Sequence, residues 1–260
     1  MEKNYIYIAN WKMYWSLNQT LEFATRHYDN LITLASTPHT SIVLCPSTLA
    51  LYPLAEMFKQ TNVHIGAQDC SDHQTGAYTG QVAAAHLQEL GAAFCIIGHS
   101  ERRKFCFETN TMLAYKILHC IQASITPILC IGETDQDHKE GKTLAVLEQQ
   151  LQPIFDALHQ QAHAFDRLPF IIAYEPVWAI GNGVTPSPEQ LETIFAWLAT
   201  TTIKRMPTVA WKPVYGGSVS AKNIAQLKGI PGIDGFLIGG ASLNFQDFEN
   251  IVKSPVKRSL

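Results

Sequence analysis

Short apolar runs rich in β-branched and aromatic residues alternate along the chain with longer stretches in which apolar positions recur every three or four residues. Eight of the short runs read as strands: Tyr5 to Asn10, Ser41 to Cys45, Val63 to Ala67, Phe94 to Ile97, Ile125 to Ile131, Phe170 to Tyr174, Pro213 to Tyr215 and Gly235 to Ile238. They are apolar nearly throughout rather than in strict alternation, the pattern of parallel strands covered on both faces. Helical patterns lie at Leu21 to Leu34, Leu49 to Phe58, Val82 to Leu90, Thr111 to Ala123, Thr143 to Leu158, Pro188 to Leu198, Ala221 to Leu227 and Phe245 to Val252, one after each strand. The clearest puts Leu144, Leu147, Leu151, Ile154, Phe155 and Leu158 on one stripe. Pro153 inside it predicts a lost backbone hydrogen bond and a kink or restart.

No Ser/Gly-rich tract, charge block or low-complexity segment separates these units, so one α/β domain over residues 1–260 is the simplest organisation. Eight βα units in 260 residues suit a closed (β/α)8 barrel better than an open doubly wound sheet, which has edges to protect. In such a barrel the C-terminal strand ends converge on one mouth. The residues just after each strand therefore become the candidates for chemistry.

Composition narrows the partners. The chain is 47% hydrophobic and 16% charged, as a folded globular protein is, and carries a net charge of -3. That balance supplies no general pull towards nucleic acid or acidic lipid, so a site for a phosphorylated small molecule would have to be built locally. The six cysteines, at 45, 70, 95, 106, 120 and 130, form no Cys-x-x-Cys pair, and several sit in apolar runs. Buried free thiols fit that placement better than disulfides or zinc, and no metal is expected. The first residues lack a basic segment followed by a long apolar one, which predicts a cytoplasmic protein with no membrane segment.

Two nucleotide motifs fail on spacing. Gly141-Lys142-Thr143 ends like a phosphate-binding P-loop, but Gln136 stands where its first glycine belongs. Gly181-Asn182-Gly183 is followed by Pro186 where a dinucleotide fingerprint needs glycine or alanine.

The strand ends are chemically coherent. Asn10-Trp11-Lys12 follows the first strand, Gln68-Asp69 the third, Gly98-His99-Ser100-Glu101-Arg102-Arg103 the fourth and Gly132-Glu133 the fifth. Glu175-Pro176-Val177-Trp178 follows the sixth, Gly216-Gly217-Ser218 the seventh and Gly239-Gly240 the eighth. Lys12 could meet an anionic substrate. His99 precedes a polar stretch able to start a helical turn, whose N–H groups would favour an uncharged ring. Glu175 emerges from apolar residues that would desolvate a carboxylate and strengthen it as a base. A solvated lysine, a satisfied core histidine and an ion-paired carboxylate are the plain alternatives. Glu101 and Glu133 read as scaffold, pairing with Lys12 or Arg102. Pro176 to Val184 has a stiff start, an apolar middle and a glycine end, the composition of a lid.

Taken in order, these blocks resemble the triosephosphate isomerase family over essentially the whole chain. The resemblance rests on Asn10-Trp11-Lys12, Gly66-Ala67-Gln68, Gly76-Ala77-Tyr78-Thr79-Gly80, Gly98 to Arg103, Cys130-Ile131-Gly132-Glu133, Ala173 to Gly181, Tyr215 to Val219 and Asp234 to Leu243. It implies a TIM barrel that interconverts dihydroxyacetone phosphate and D-glyceraldehyde 3-phosphate, in glycolysis and gluconeogenesis, without a cofactor. It further implies Glu175 as base, His99 as uncharged hydrogen-bond donor and Lys12 as the charge that holds substrate, with Asn10 shaping the oxygen-binding side. Phosphate would rest on Gly181, Ser218, Gly239 and Gly240, and the segment from Pro176 to about Pro186 would close over the intermediate.

The same resemblance implies a homodimer in which the loop Asp69 to Gln81, with Thr79 near its reach, enters the neighbour's site. Four positions depart from the family pattern: Gln81 and Tyr14 near the expected interface, and Asn182 and Val184 in the lid. The alternatives are a barrel glycosidase using Glu133 and Glu175, against which the glycine turns after the seventh and eighth strands argue, a Schiff-base aldolase, for which Lys212 precedes its strand and points to the wrong mouth, and a non-catalytic binding barrel.

Overall fold

The computed structural model describes residues 3–160, 169–181 and 183–256. Eight strands close into a barrel in chain order: β1 (Tyr5–Asn10), β2 (Thr40–Cys45), β3 (Val63–Ala67), β4 (Phe94–Ile97), β5 (Thr126–Ile131), β6 (Pro169–Tyr174), β7 (Ala210–Tyr215) and β8 (Gly235–Ile238). Every neighbouring pair is parallel, and β1 pairs with β8 from Ile6↔Gly235 to Ala9↔Ile238, which completes the ring.

The strands look uniformly apolar in sequence because both of their faces are buried, each against a different core. Ile6 and Ile8 point into the barrel with Val43, Ile96, Ile128, Ile171 and Leu237. Tyr7 and Ala9 point outward and pack with Leu44, Ile97, Leu129 and Ile172 against the helices. The period of two is present but hidden, since inside and outside are both dry.

The helices are α1 (Leu17–Arg26), α2 (Tyr28–Ala35), α3 (Leu51–Phe58), α4 (Ala84–Glu89), α5 (Ser100–Phe105), α6 (Asn110–Gln122), α7 (Asp135–Lys139), α8 (Thr143–His159), α9 (Pro188–Arg205), α10 (Ile224–Gly229) and α11 (Phe245–Lys253). The expectation of one helix per strand therefore fails in three units. The predicted Leu21 to Leu34 helix divides at His27, which adopts φ -110° and ψ 15°. Short helices α5 and α7 precede α6 and α8, and both are too brief to register as periodic patterns.

Pro153 does not restart α8, which runs unbroken from Thr143 to His159. The carbonyl that its missing N–H would have met, four residues back at Gln149, accepts the Asn110 side-chain amide at 3.4 Å instead. Strand β7 starts at Ala210, so Lys212 lies within it rather than before it, exposed in its N-terminal half. None of the described helices is long and apolar enough to cross a membrane.

Candidate active site

At the end of β1, Lys12 adopts a left-handed backbone with φ 50°, uncommon for a residue with a side chain. Three contacts hold it there. Its N–H donates to Asn10 Oδ1 at 3.1 Å, while Gln68 Nε2, from beyond β3, donates to its carbonyl at 2.8 Å and to that of Cys45 at 2.9 Å. The ammonium reaches Glu101 at 2.7 Å, the pairing expected for that glutamate. It also passes over Gly239, where a Cβ would stand 3.4 Å from Lys12 Cε.

His99 caps α5. Its Nδ1 accepts the Glu101 N–H at 3.2 Å, so the ring keeps its lone pair there and carries its hydrogen on Nε2. That Nε2 lies 3.4 Å from Glu175 Oε1. Arg103 fixes the turn from below, donating to the carbonyls of Gly98 at 2.8 Å and Cys130 at 2.9 Å.

Glu175, just past β6, is only 2% exposed. Its Oε2 accepts the Ser100 N–H at 3.2 Å, and its Oε1 is buried without a hydrogen-bond partner. The space it occupies exists because the residues after β5 and β7 are glycines. A Cβ on Gly132 would stand 1.7 Å from the Glu175 carbonyl oxygen, and one on Gly216 would stand 2.8 Å from its Cγ. Gln150 of α8 grips the first of these glycines through its N–H and its carbonyl, both at 2.9 Å.

All of the predicted site residues line one cavity of about 380 Å³ at the C-terminal mouth: Asn10, Lys12, His99, Glu175, Gly181, Ser218, Gly239 and Gly240. Tyr14, Ile180, Asn223 and Leu237 line it too. A smaller hollow of about 190 Å³ behind Trp178, lined mainly by Leu144, Pro186 and Ile194, contains none of the eight. The larger cavity is therefore the one in which cation, imidazole and carboxylate meet.

A scan of protein families matches residues 5–255 to the triosephosphate isomerase model. Similar curated proteins bear that name: one from Colwellia psychrerythraea is 38% identical over 96% of this chain and 97% of its own length. Another from Idiomarina loihiensis is 38% identical over 95% and 96%. A third, from Albidiferax ferrireducens, is 39% identical over 82% and 85%. The chain belongs to the triosephosphate isomerase family.

The segment after Glu175, read above as a lid, is tied down at two points. Trp178 Nε1 donates to Glu133 Oε1 at 2.8 Å, and its ring stacks on His138 at 4.2 Å. Ser218 Oγ donates to the Ala179 carbonyl at 2.7 Å. Gly181 and Gly183 carry φ of 74° and 77° at its far end. Val184 is half exposed, and Asn182 lies outside the described residues.

The glycosidase alternative loses its second carboxylate. Glu133 is fully buried outside the cavity, where Tyr174 and Trp178 both donate to its Oε1. Lys212 is equally remote, in the half of β7 away from the mouth.

The sequence placed Gln68, Ser100 and Arg103 at strand ends without giving them a part in the site, and neither Gln150 nor Asn223 stood out in it; all five hold the candidate residues or their loops in place. Asn223 accepts the Ser220 N–H at 2.8 Å and donates to the Ser218 carbonyl at 2.9 Å, which orders the loop after β7. Its position three residues after Ser220 is a turn signal available in the sequence. Gln150, on a helix face 18 residues from its partner, offered no such signal.

Proposed function

We propose that Glu175, His99 and Lys12 carry out the proton transfers of a triosephosphate isomerase, which interconverts dihydroxyacetone phosphate and D-glyceraldehyde 3-phosphate through an enediolate. The observation that carries this reading is the free Glu175 Oε1, buried and 3.4 Å from His99 Nε2 in a cavity shared with a lysine.

Glu175 Oε1 takes the proton from the carbon beside the carbonyl and returns it at the neighbouring carbon. The Nε2–H of His99 donates to the carbonyl oxygen, where negative charge develops, and the Lys12 ammonium stabilises the same charge. Asn10 holds the Lys12 main chain and borders the oxygen-binding side. Phosphate is held by main-chain N–H groups of Gly181, Ser218, Gly239 and Gly240, which a dianion can approach closely because three of the four are glycines. Closure of residues 176–186 excludes water from the intermediate. No cofactor enters these steps.

The reading extends to one domain over residues 1–260, a cytoplasmic location in keeping with glycolytic chemistry, and a homodimer. Supporting the dimer, large apolar side chains stand exposed after four consecutive strands: Met13 and Tyr14, Leu49, Tyr78, and Phe105 and Phe107. A patch of this kind marks a partner surface, and the loop Asp69 to Gln81 with Thr79 projects from the same side.

The test is turnover of D-glyceraldehyde 3-phosphate by purified protein, with Glu175→Asp and His99→Gln beside it. Both variants are expected to fold and to lose activity by about 10²-fold or more. Rates like those of the unmodified protein in both would remove these residues from the mechanism.

A further inference from the structure

Three cysteines distant in sequence meet in the layer between barrel and helices. Cys70 follows β3, Cys95 lies in β4 and Cys120 in α6, and all three are buried. Their sulfurs lie within 4.8 Å of one another, with those of Cys70 and Cys120 3.6 Å apart. They pack with Ile97, Leu113 and Ile117 outside the barrel wall, whereas Cys45 and Cys130 face its interior. The isomerase chemistry has no use for them.

We propose that Cys70, Cys95 and Cys120 form a binding site for one thiophilic monovalent d10 cation of the copper(I) class, held by three sulfurs. A trigonal ion with metal–sulfur bonds of about 2.3 Å sets its sulfurs about 4 Å apart, between the closest contact here, 3.6 Å, and the 4.8 Å limit of the group.

The donor set selects the ion. Zinc in a closed site takes four ligands, and among the described residues no fourth His, Cys, Asp or Glu atom joins the group. Magnesium and calcium need oxygen, whereas soft, low-coordinate copper(I) is satisfied by sulfur alone.

The Cys70 S–H points to the Lys116 carbonyl at 3.9 Å, while the Lys116 ammonium is held by Asp69 and Glu108. Each thiol that becomes a ligand releases one proton, and copper enters and stays as copper(I), so no electron moves. Entry to so enclosed a site requires local opening of α6 from β4, which makes loading slow.

The experiment is an anaerobic titration of reduced, thiol-free protein with copper(I) buffered by a chromogenic copper(I) chelator, followed by metal counting and X-ray absorption. One ion per chain is expected, with a shell of three sulfurs at about 2.3 Å. Cys106→Ser, at the exposed cysteine, should retain it. Cys95→Val and Cys120→Val, which keep an apolar side chain in place, should each weaken binding at least tenfold while circular dichroism and Tm stay close to the parent. The triple Cys70→Ala, Cys95→Ala, Cys120→Ala variant should bind none. Undiminished binding in folded single variants, an oxygen- or nitrogen-containing shell, or no more copper retained against the chelator by the parent than by the triple variant would each overturn the site.

Discussion

Glu175 keeps one carboxylate oxygen on the Ser100 N–H and the other unpaired, and two glycines leave it the room to do so. Gly216→Ala tests the looser side of that arrangement, where the added Cβ meets side chain rather than main chain. A methyl group 2.8 Å from Glu175 Cγ forces that side chain to shift, whereas the strand backbone, at the Tyr174 carbonyl, stays in ordinary contact at 3.5 Å. The expected result is a fall in kcat on the order of 10²-fold, since a misplacement of about 1 Å costs that much, with Tm lowered only slightly. A variant with undiminished kcat would show that the carboxylate position is not set by this glycine. Lys12, His99 and Glu175 were legible in the sequence as candidates, because each follows an apolar run and carries a group able to do chemistry. Their holders were not: Gln68, Gln150 and Arg103 act through main-chain carbonyls and N–H groups contributed by other strands.

At the scale of elements, α8 shows how a local rule yields to its neighbours. The Gln149 carbonyl orphaned by Pro153 takes a hydrogen bond from Asn110, at the start of α6, so the helix continues. The proline still carries a cost, because a long 3.4 Å contact replaces a helical one. Pro153→Ala is expected to raise stability by about 1 kcal/mol or more, less than the full penalty of about 3 kcal/mol for a helix-interior proline, because alanine also frees the unfolded chain. Denaturant midpoints at unchanged slope would measure this, and a lowered midpoint would contradict it. Catalytic rates should not move. The division of the first helix at His27 and the short α5 and α7 had no periodic signature, since one or two turns contain too few apolar positions to set a phase.

For the whole molecule, a buried lysine ties α10 to the end of α11 and to β1. Lys228, at the end of α10, donates to the Val252 carbonyl at 2.9 Å and to that of Ser254, while Tyr5 of β1 donates to the Lys228 carbonyl at 2.8 Å. Burial pushes this ammonium down to about 8. Between that value and the ordinary lysine range the unfolded chain holds a proton that the folded chain has released, so this group makes stability rise with pH across the window. Below about 8 both states are protonated and the cost of the buried charge is complete. The carbonyl acceptors and the nearby faces of Tyr5 and Tyr7 work in the opposite direction and keep the effect modest. Lys228→Met should therefore lack this part of the pH slope in unfolding measurements between pH 8 and 10. A slope matching the parent would exclude Lys228 as its source.

The mouth makes a matching prediction for assembly. If the exposed apolar surface after β1 to β4 joins two copies, Met13→Asp, at a side chain 93% exposed, will shift sedimentation towards the monomer. Activity should fall with it, because Lys12 is the adjoining residue. An unchanged sedimentation coefficient on dilution and mutation would place the partner surface elsewhere.

By itself the sequence determined the eight strands, their parallel character and the chemical groups at their ends, because burial on both faces and functional side chains after each run are local properties of the chain. Only the tertiary structure decided which strand face looks inward, which amides and carbonyls hold Lys12, His99 and Glu175 in place, and how Pro153 is tolerated. The cysteines make the same point. No spacing brings Cys70, Cys95 and Cys120 together, since their meeting depends on β3, β4 and α6 packing side by side. Such contacts join positions far apart in the chain, and their geometry exists only once the barrel has closed.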